Sequence, residues 1–244
     1  MSKKDRIFST EINAPGDFVF DDRVVSVFPD MINRSVPGYG LVVPMIGLLA
    51  RRYAQPDSNL YDLGCSLGAV SLAMREAVRA SGTKIIAVDN SVNMMRQFKK
   101  NLVAPAGSET PTVEPVLQDI LDTRVENASV VAMNFTLQFI DPTRRTGLLR
   151  DIVDGLNPGG VLVLSEKIRF ENPEEQTFQE SWHHDFKRAQ GYSDLEIARK
   201  RDALENVMKP DTMQQHRDRL EKAGLKSVCQ WFQGFNFISM IAFK

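Results

Sequence analysis

The residues best suited to chemistry lie in and after Leu60-Tyr61-Asp62-Leu63-Gly64-Cys65-Ser66-Leu67-Gly68, an apolar run that ends in an acid and a loop of small residues. Gly64 and Gly68 lack a Cβ, so the backbone there can turn sharply and approach a ligand, and a helix opening behind them would present unpaired N–H groups. Such a loop cradles a nucleotide-like ligand. Asp89, 25 residues after Gly64 and followed by Asn90, closes a second apolar run, where a carboxylate can accept hydrogen bonds from two ribose hydroxyls. Asp119-Ile120 follows a third run and sets an acid beside an apolar side chain, which suits an adenine amino group and ring face. Each feature also has an ordinary reading: a strand-to-helix turn, a helix cap at Asn90-Ser91, a plain loop acid. Loop and acid together favour a ribose-bearing ligand.

Spacing narrows the ligand further. A dinucleotide fingerprint G-x-G-x-x-G needs glycine where Ser66 stands, and only Ala69 fits it. With Asp62 leading, the pattern acid-x-Gly-x-x-x-Gly instead resembles motif I of the class I S-adenosylmethionine-dependent methyltransferases. A sulfonium ligand carries no pyrophosphate, so a long anion-binding nest is not required, and an acid near the loop can help hold the amino-acid end. Gly64 to Gly68 also fits the G-x-S-x-G nucleophile elbow of α/β-hydrolases. That reading ranks low, because an elbow normally follows several strands and the upstream histidine-glycine oxyanion motif is missing.

The elements that must position these residues alternate. Val24, Val25, Val27, Phe28, Met31 and Ile32 have helical spacing, Arg34 to Gly40 is a break, and a second helix follows with Pro44 in its first turn and Met45, Ile46, Leu48 and Leu49 near its buried face. Residues 1–55 thus read as a helical cap, whose Tyr39 either reaches the ligand's mouth or packs on the cap. Residues 56–244 read as a Rossmann-like domain: strand, loop, a helix from Ala69 to Ala80, a strand over Lys84–Val88, a third over Val113–Leu117 and a fourth over Ser129–Met133. The fourth ends at Asn134-Phe135-Thr136-Leu137-Gln138-Phe139. Enzymes that methylate planar amines usually carry Asn or Asp, two prolines and an aromatic there, and this chain does not. A helix from Asp141-Pro142, stopped by Asn157-Pro158-Gly159-Gly160, leads to strand five over Val161–Ser165. Lys226–Phe232 and Phe235–Phe243 read as a hairpin around Gln233-Gly234. The fold class expected is α/β, a doubly wound, mostly parallel seven-stranded sheet with an antiparallel last strand. About 174–210 reads as a helical insertion over the site, with basic residues able to receive an anion. Adjacent His183 and His184 would point differently on a helix, so no metal site is expected.

Composition bounds the rest. The 244 residues carry 30 Lys and Arg against 31 Asp and Glu, a net charge of −1, so no whole-protein field draws in nucleic acid. Two cysteines, Cys65 and Cys229, suit a reduced cytoplasmic protein. Met1 to Arg6 lacks an apolar signal core, and no segment approaches membrane-spanning length.

Strings outside the generic motifs sharpen the resemblance. Phe28-Pro29-Asp30-Met31, Arg34-Ser35-Val36-Pro37-Gly38-Tyr39, the Asp62–Gly68 loop, Asn134–Phe139, His183-His184-Asp185-Phe186-Lys187-Arg188 and Leu204-Glu205-Asn206-Val207-Met208 resemble the carboxy-S-adenosylmethionine synthase family over essentially the full length. The resemblance implies a homodimeric enzyme that turns S-adenosyl-L-methionine and prephenate into carboxy-S-adenosyl-L-methionine and phenylpyruvate. The product would pass to an enzyme that carboxymethylates 5-hydroxyuridine at the tRNA wobble position. It further implies Tyr39, Gly64, Cys65, Ser66, Asp89, Asn90, Asp119, Ile120 and Asn134 for the cofactor portion, with Arg201 for the new carboxylate. A sulfonium acidifies its methyl protons, so carbon dioxide and hydroxide lost from prephenate supply both an electrophile and a base beside the methyl group. Arg201 offers a planar, permanently charged fork that matches a carboxylate. The rivals are a methyltransferase acting on RNA or a small molecule, and a non-catalytic scaffold.

Overall fold

The computed structural model describes residues 4–9, 21–102 and 110–244, with the side chain of Glu205 left aside. Residues 1–3 and 10–20 of the expected 1–55 cap lie outside them. The apolar runs form seven strands: β1 Asn59–Leu63, β2 Lys84–Asp89, β3 Thr112–Leu117, β4 Ala128–Asn134, β5 Leu156–Lys167, β6 Lys226–Gly234 and β7 Phe237–Phe243. They lie in one sheet in the order β3-β2-β1-β4-β5-β7-β6. Every pair from β3 to β5 is parallel, and β7 runs antiparallel to both β5 and β6. The expected class holds, last strand included.

The helices are α1 Asp22–Ser35, α2 Tyr39–Tyr53, α3 Ala69–Ala77, α4 Val92–Asn101, α5 Arg145–Gly155, α6 Pro173–Ala189, α7 Asp194–Glu205 and α8 Met213–Lys222. They cover both faces of the sheet, which is why β1 and β4 read as continuous apolar runs without alternation. On one face Leu149 and Ile152 of α5 and Leu220 of α8 pack on Leu63, Val131, Met133 and Leu162. On the other, Ile46 and Ala50 of α2 with Val70 and Met74 of α3 pack on Leu60, Ile85, Val130 and Val163. Among the described residues before β1, the two helices serve different purposes. In α1, Val24, Val27 and Met31 pack against Met94 of α4, while α2 belongs to the sheet's helical layer.

Some local expectations need correction. Gly38, at φ 77°, caps α2, so the helix opens at Tyr39 and Pro44 falls beyond the first turn. That choice rotates the buried face to Val42, Val43, Ile46, Gly47 and Ala50 and leaves Met45 and Leu48 at 38% and 58% exposure. Asp141 Oδ1 accepts from Thr143 N at 2.8 Å, a local turn that delays α5 to Arg145. The C-terminal reversal sits at Phe235-Asn236, after Gly234, because Phe235 takes the left-handed conformation at φ 53°. Asn157–Gly160 does follow α5, but β5 already begins at Leu156, which pairs with Ala128 before the register shifts at Val161. The insertion is α6 and α7, between β5 and the connecting helix α8.

Candidate functional site

The sheet's connections reverse at β1, with β2 on one side and β4 on the other, and a cleft opens where strands diverge at their carboxyl ends. There the structure has a cavity of about 300 Å³. Nine of the predicted residues line it: Tyr39, Asp62, Gly64, Cys65, Ser66, Asp89, Asn90, Ile120 and Asn134. Two do not. Asp119 uses one oxygen to cap the 3-10 turn Ile120–Asp122, accepting from Leu121 N at 2.9 Å. Arg201 is 64% exposed on α7 and pairs with its neighbour Asp202 at 3.0 Å.

The loop between β1 and α3 is held by its own amides. Gly64 N and Cys65 N both donate to Val88 O, Ser66 N to Asp89 Oδ2 at 2.9 Å, and Gly68 N to Cys65 O. The glycines answer to packing as well as to turning: both have φ near 80°, and a Cβ would meet Thr136 at Gly64 and the Phe98 ring at Gly68. In the first turn of α3, Ser71 N is taken by Asp62 and Leu72 N by Gly68 O, so the unpaired amides expected near the ligand reduce to Ala69 and Val70, both of which line the cavity.

Asp62 is fully buried and accepts from Ser71 N at 2.9 Å and Ser71 Oγ at 2.6 Å. Burial pushes its carboxyl up to about 6, and the charge of Asp89 adds to that against the Ser71 bonds. Asp89 accepts from Ser91 N at 2.8 Å as well as from Ser66 N, so it braces the loop; burial raises its pKa too. Asn134, at the end of β4, has a buried Oδ1 with no hydrogen-bond partner among the described residues, an acceptor suited to a ligand's polar group. Burial also raises the Cys65 thiol and the Tyr39 phenol, so both stay protonated.

The β5 side of the cavity is different. Lys167 at the end of β5, His183 and Lys187 of α6, and Lys200 of α7 line it, among Phe139, Leu204, Met208 and Phe237. His183 Nε2 lies 2.8 Å from Ser35 O, which makes Nε2 the donor, and burial pushes the ring's pKa down to about 2. It is a buried structural histidine. Among the described residues, no group of three His, Cys, Asp or Glu is placed to hold a metal ion.

Sequence reasoning passed over Glu166. It is fully buried and accepts from Leu137 N at 2.9 Å and Gln138 N at 2.8 Å, so it caps the turn that follows Asn134 and sets the cavity wall. Burial raises its carboxyl to about 8. No signal in the sequence marks it, since the two amides that it accepts from lie 29 and 28 residues away.

A family model described as a methyltransferase domain matches residues 60–160. Carboxy-S-adenosyl-L-methionine synthase of Geobacter sp. (strain M21) is 54% identical over 242 residues, covering 99% of this chain and 99% of that protein. The protein of the same name from Vibrio cholerae serotype O1 (strain ATCC 39541 / Classical Ogawa 395 / O395) is 53% identical over 244 residues, covering 100% and 98%. Among solved structures, a methyltransferase from Methanococcus maripaludis described as S-adenosyl-L-methionine-dependent aligns with a TM-score of 0.59 at 20% identity, over 94% of this chain and 96% of that one. Human N-acetylserotonin methyltransferase in complex with SAM aligns with 0.58 at 14%, over 91% and 55%. At such identities the structural likeness speaks for the fold.

Proposed function

The chain belongs to the carboxy-S-adenosyl-L-methionine synthase family, and from that premise we propose that it converts S-adenosyl-L-methionine and prephenate into carboxy-S-adenosyl-L-methionine and phenylpyruvate. One observation carries the reading: Asp62, Asp89, Asn90 and Asn134 share their cavity with three lysines. An ordinary methyl acceptor needs no such cations, and an anionic co-substrate does.

In this proposal Tyr39, Asp62, Gly64, Cys65, Ser66, Asp89, Asn90, Ile120 and Asn134 hold S-adenosyl-L-methionine, and Asp119 joins them through the oxygen its turn does not use. The ligand supplies a sulfonium with acidified methyl protons. The chain's own part is to bind and orient both reactants in a small, largely apolar cavity and to exclude water. Arg201 reads the new carboxylate. We place that arginine at the face of a homodimer, since Phe178, Trp182 and Leu195 of the same insertion are about half exposed and the first two stack at 6.0 Å. The product goes to a tRNA carboxymethyltransferase, and the charge of −1 gives no reason for direct RNA binding. The reaction is placed in the cytoplasm, in keeping with the free cysteines Cys65 and Cys229. No described helix is long and apolar enough to cross a membrane.

The test is a product assay by mass spectrometry on purified protein given both substrates. Phenylpyruvate and a cofactor heavier by one carboxyl group are expected in equal amounts, without matching S-adenosylhomocysteine. Stoichiometric S-adenosylhomocysteine with a methylated acceptor would establish an ordinary methyltransferase instead.

A second expectation concerns Asp89. Asp89→Asn removes the charge that two ribose hydroxyls would meet and leaves one oxygen for Ser66 N and Ser91 N, which now use separate oxygens, so S-adenosyl-L-methionine binding should weaken by about 1.5–3 kcal/mol and the loop should loosen as well. Calorimetric titration reads it. Unchanged affinity would leave Asp89 as a brace for the loop and nothing more.

A further inference from the structure

We propose that Lys167, Lys187 and Lys200 form the subsite that holds the carboxylates of the second substrate. The inference rests on the reaction proposed above, since it says which side chains take the co-substrate. The three lysines come from different elements, the end of β5, α6 and α7, all line the cavity, and Lys187 feels the charges of the other two. The only carboxylates among the described lining residues, Asp62 and Asp89, belong to β1 and β2, with β4 standing between β1 and β5. Both already accept hydrogen bonds from Ser71, Ser66 and Ser91. None of the three lysines forms an ion pair among the described residues.

Such clustering is costly without an anion. A buried ammonium without a counter-charge loses its hydration, and like charges nearby add repulsion, so the group either sheds its proton or takes an anionic ligand. The direction of the shifts agrees. Burial, then the charges of Lys200, Lys167 and Arg201, push Lys187 down to about 7. Burial pushes Lys200 down to about 8 and lowers Lys167. The acids near them are Asp5, which faces Lys200, and Glu180, which faces Lys167; Lys187 faces cations alone. Lys200 also donates to Ser35 Oγ at 2.8 Å, so it is the anchored member and the other two are the adaptable ones. Phe139, Ile140, Leu204, Met208 and Phe237 complete this part of the lining. An anionic ligand with an apolar body satisfies both features, and the proposed co-substrate is one.

The experiment uses the full-length protein loaded with S-adenosyl-L-methionine and two unreactive probes: benzylsuccinate, a dianion, and 3-phenylpropionate, the corresponding monoanion. Lys187→Gln and Lys167→Gln should each weaken benzylsuccinate about 10- to 100-fold, the size of a lost charge-assisted hydrogen bond. They should weaken 3-phenylpropionate less and leave S-adenosyl-L-methionine affinity unchanged. Arg188→Gln, which removes an exposed cation of the same helix, should change none of these values. Benzylsuccinate bound equally by wild type and both lysine variants would overturn the subsite, and so would equal losses for both probes or a parallel loss of S-adenosyl-L-methionine. The reaction is tested separately. Wild type that binds benzylsuccinate through Lys187 yet forms no phenylpyruvate keeps the subsite and retires prephenate. Turnover with an unchanged prephenate KM in both variants keeps the reaction and retires the subsite.

Discussion

Asp211→Ala should cost the fold about 3–5 kcal/mol, because it strands a guanidinium that has no access to water. Arg145 is fully buried, and its fork donates to the carbonyls of Ile140 at 2.9 Å, Gln138 at 3.2 Å and Lys209 at 2.7 Å as well as to the Asp211 carboxylate. Arg219 meets the same carboxylate oxygen at 2.7 Å. Burial works against the Asp211 anion, but the two arginines outweigh it and hold the carboxyl below the usual range. With its folded pKa depressed, Asp211 contributes stability above the ordinary aspartate range, and that contribution is lost as pH falls through the folded value. The consequence reaches the site, since Gln138 and Ile140 line the cavity. For a chain of this size the loss corresponds to a melting temperature lower by roughly 6–20 °C. Arg145→Met combined with Asp211→Leu should recover only part of it, because it removes the stranded guanidinium but takes the carboxylate from Arg219 and a donor from the carbonyls of Ile140, Gln138 and Lys209. Scanning calorimetry on both variants decides the matter, and a loss under about 1 kcal/mol for Asp211→Ala would mean that water reaches and relieves Arg145.

Arg201→Ala should keep S-adenosyl-L-methionine affinity and lose about 2–5 kcal/mol of affinity for the carboxylated product, since only the product presents an anion to the guanidinium. Within one chain Arg201 is 64% exposed and held by Asp202. A contact made there in water would be worth about 1 kcal/mol at most. The larger figure therefore requires a second copy to shelter the arginine, so one pair of titrations measures the contact and its surroundings together. Arg201→Lys should recover only part, because a point charge replaces a two-pronged fork. Equal weakening of both ligands would make Arg201 a support for α7 or for the dimer. No change in either would leave it a surface charge.

What the chain determined by itself was local. Each strand and the turn that closes it come from a run of neighbouring residues, so Asp62, Asp89 and Asn134 could be assigned to strand ends, and the order of strands and helices admitted few topologies. Gly64 and Gly68 were legible for the same reason: a positive φ is a property of one residue. What only the tertiary structure decided was which way each polar group faces. Lys200 and Arg201 are adjacent on α7, yet one turns into the cavity and the other into solvent, because successive helical side chains point about 100° apart and packing chooses the rotation. Asp119 comes just after β3 and Asp89 closes β2, but the first is turned to its own 3-10 turn and the second to the glycine loop. Glu166, Arg145 and Asp211 give no sign in sequence of their burial, since the backbone groups and charges that satisfy them lie up to 66 residues away. The meeting of Lys167, Lys187 and Lys200 is of the same kind: a strand end and two inserted helices converge only once the sheet exists to hold them.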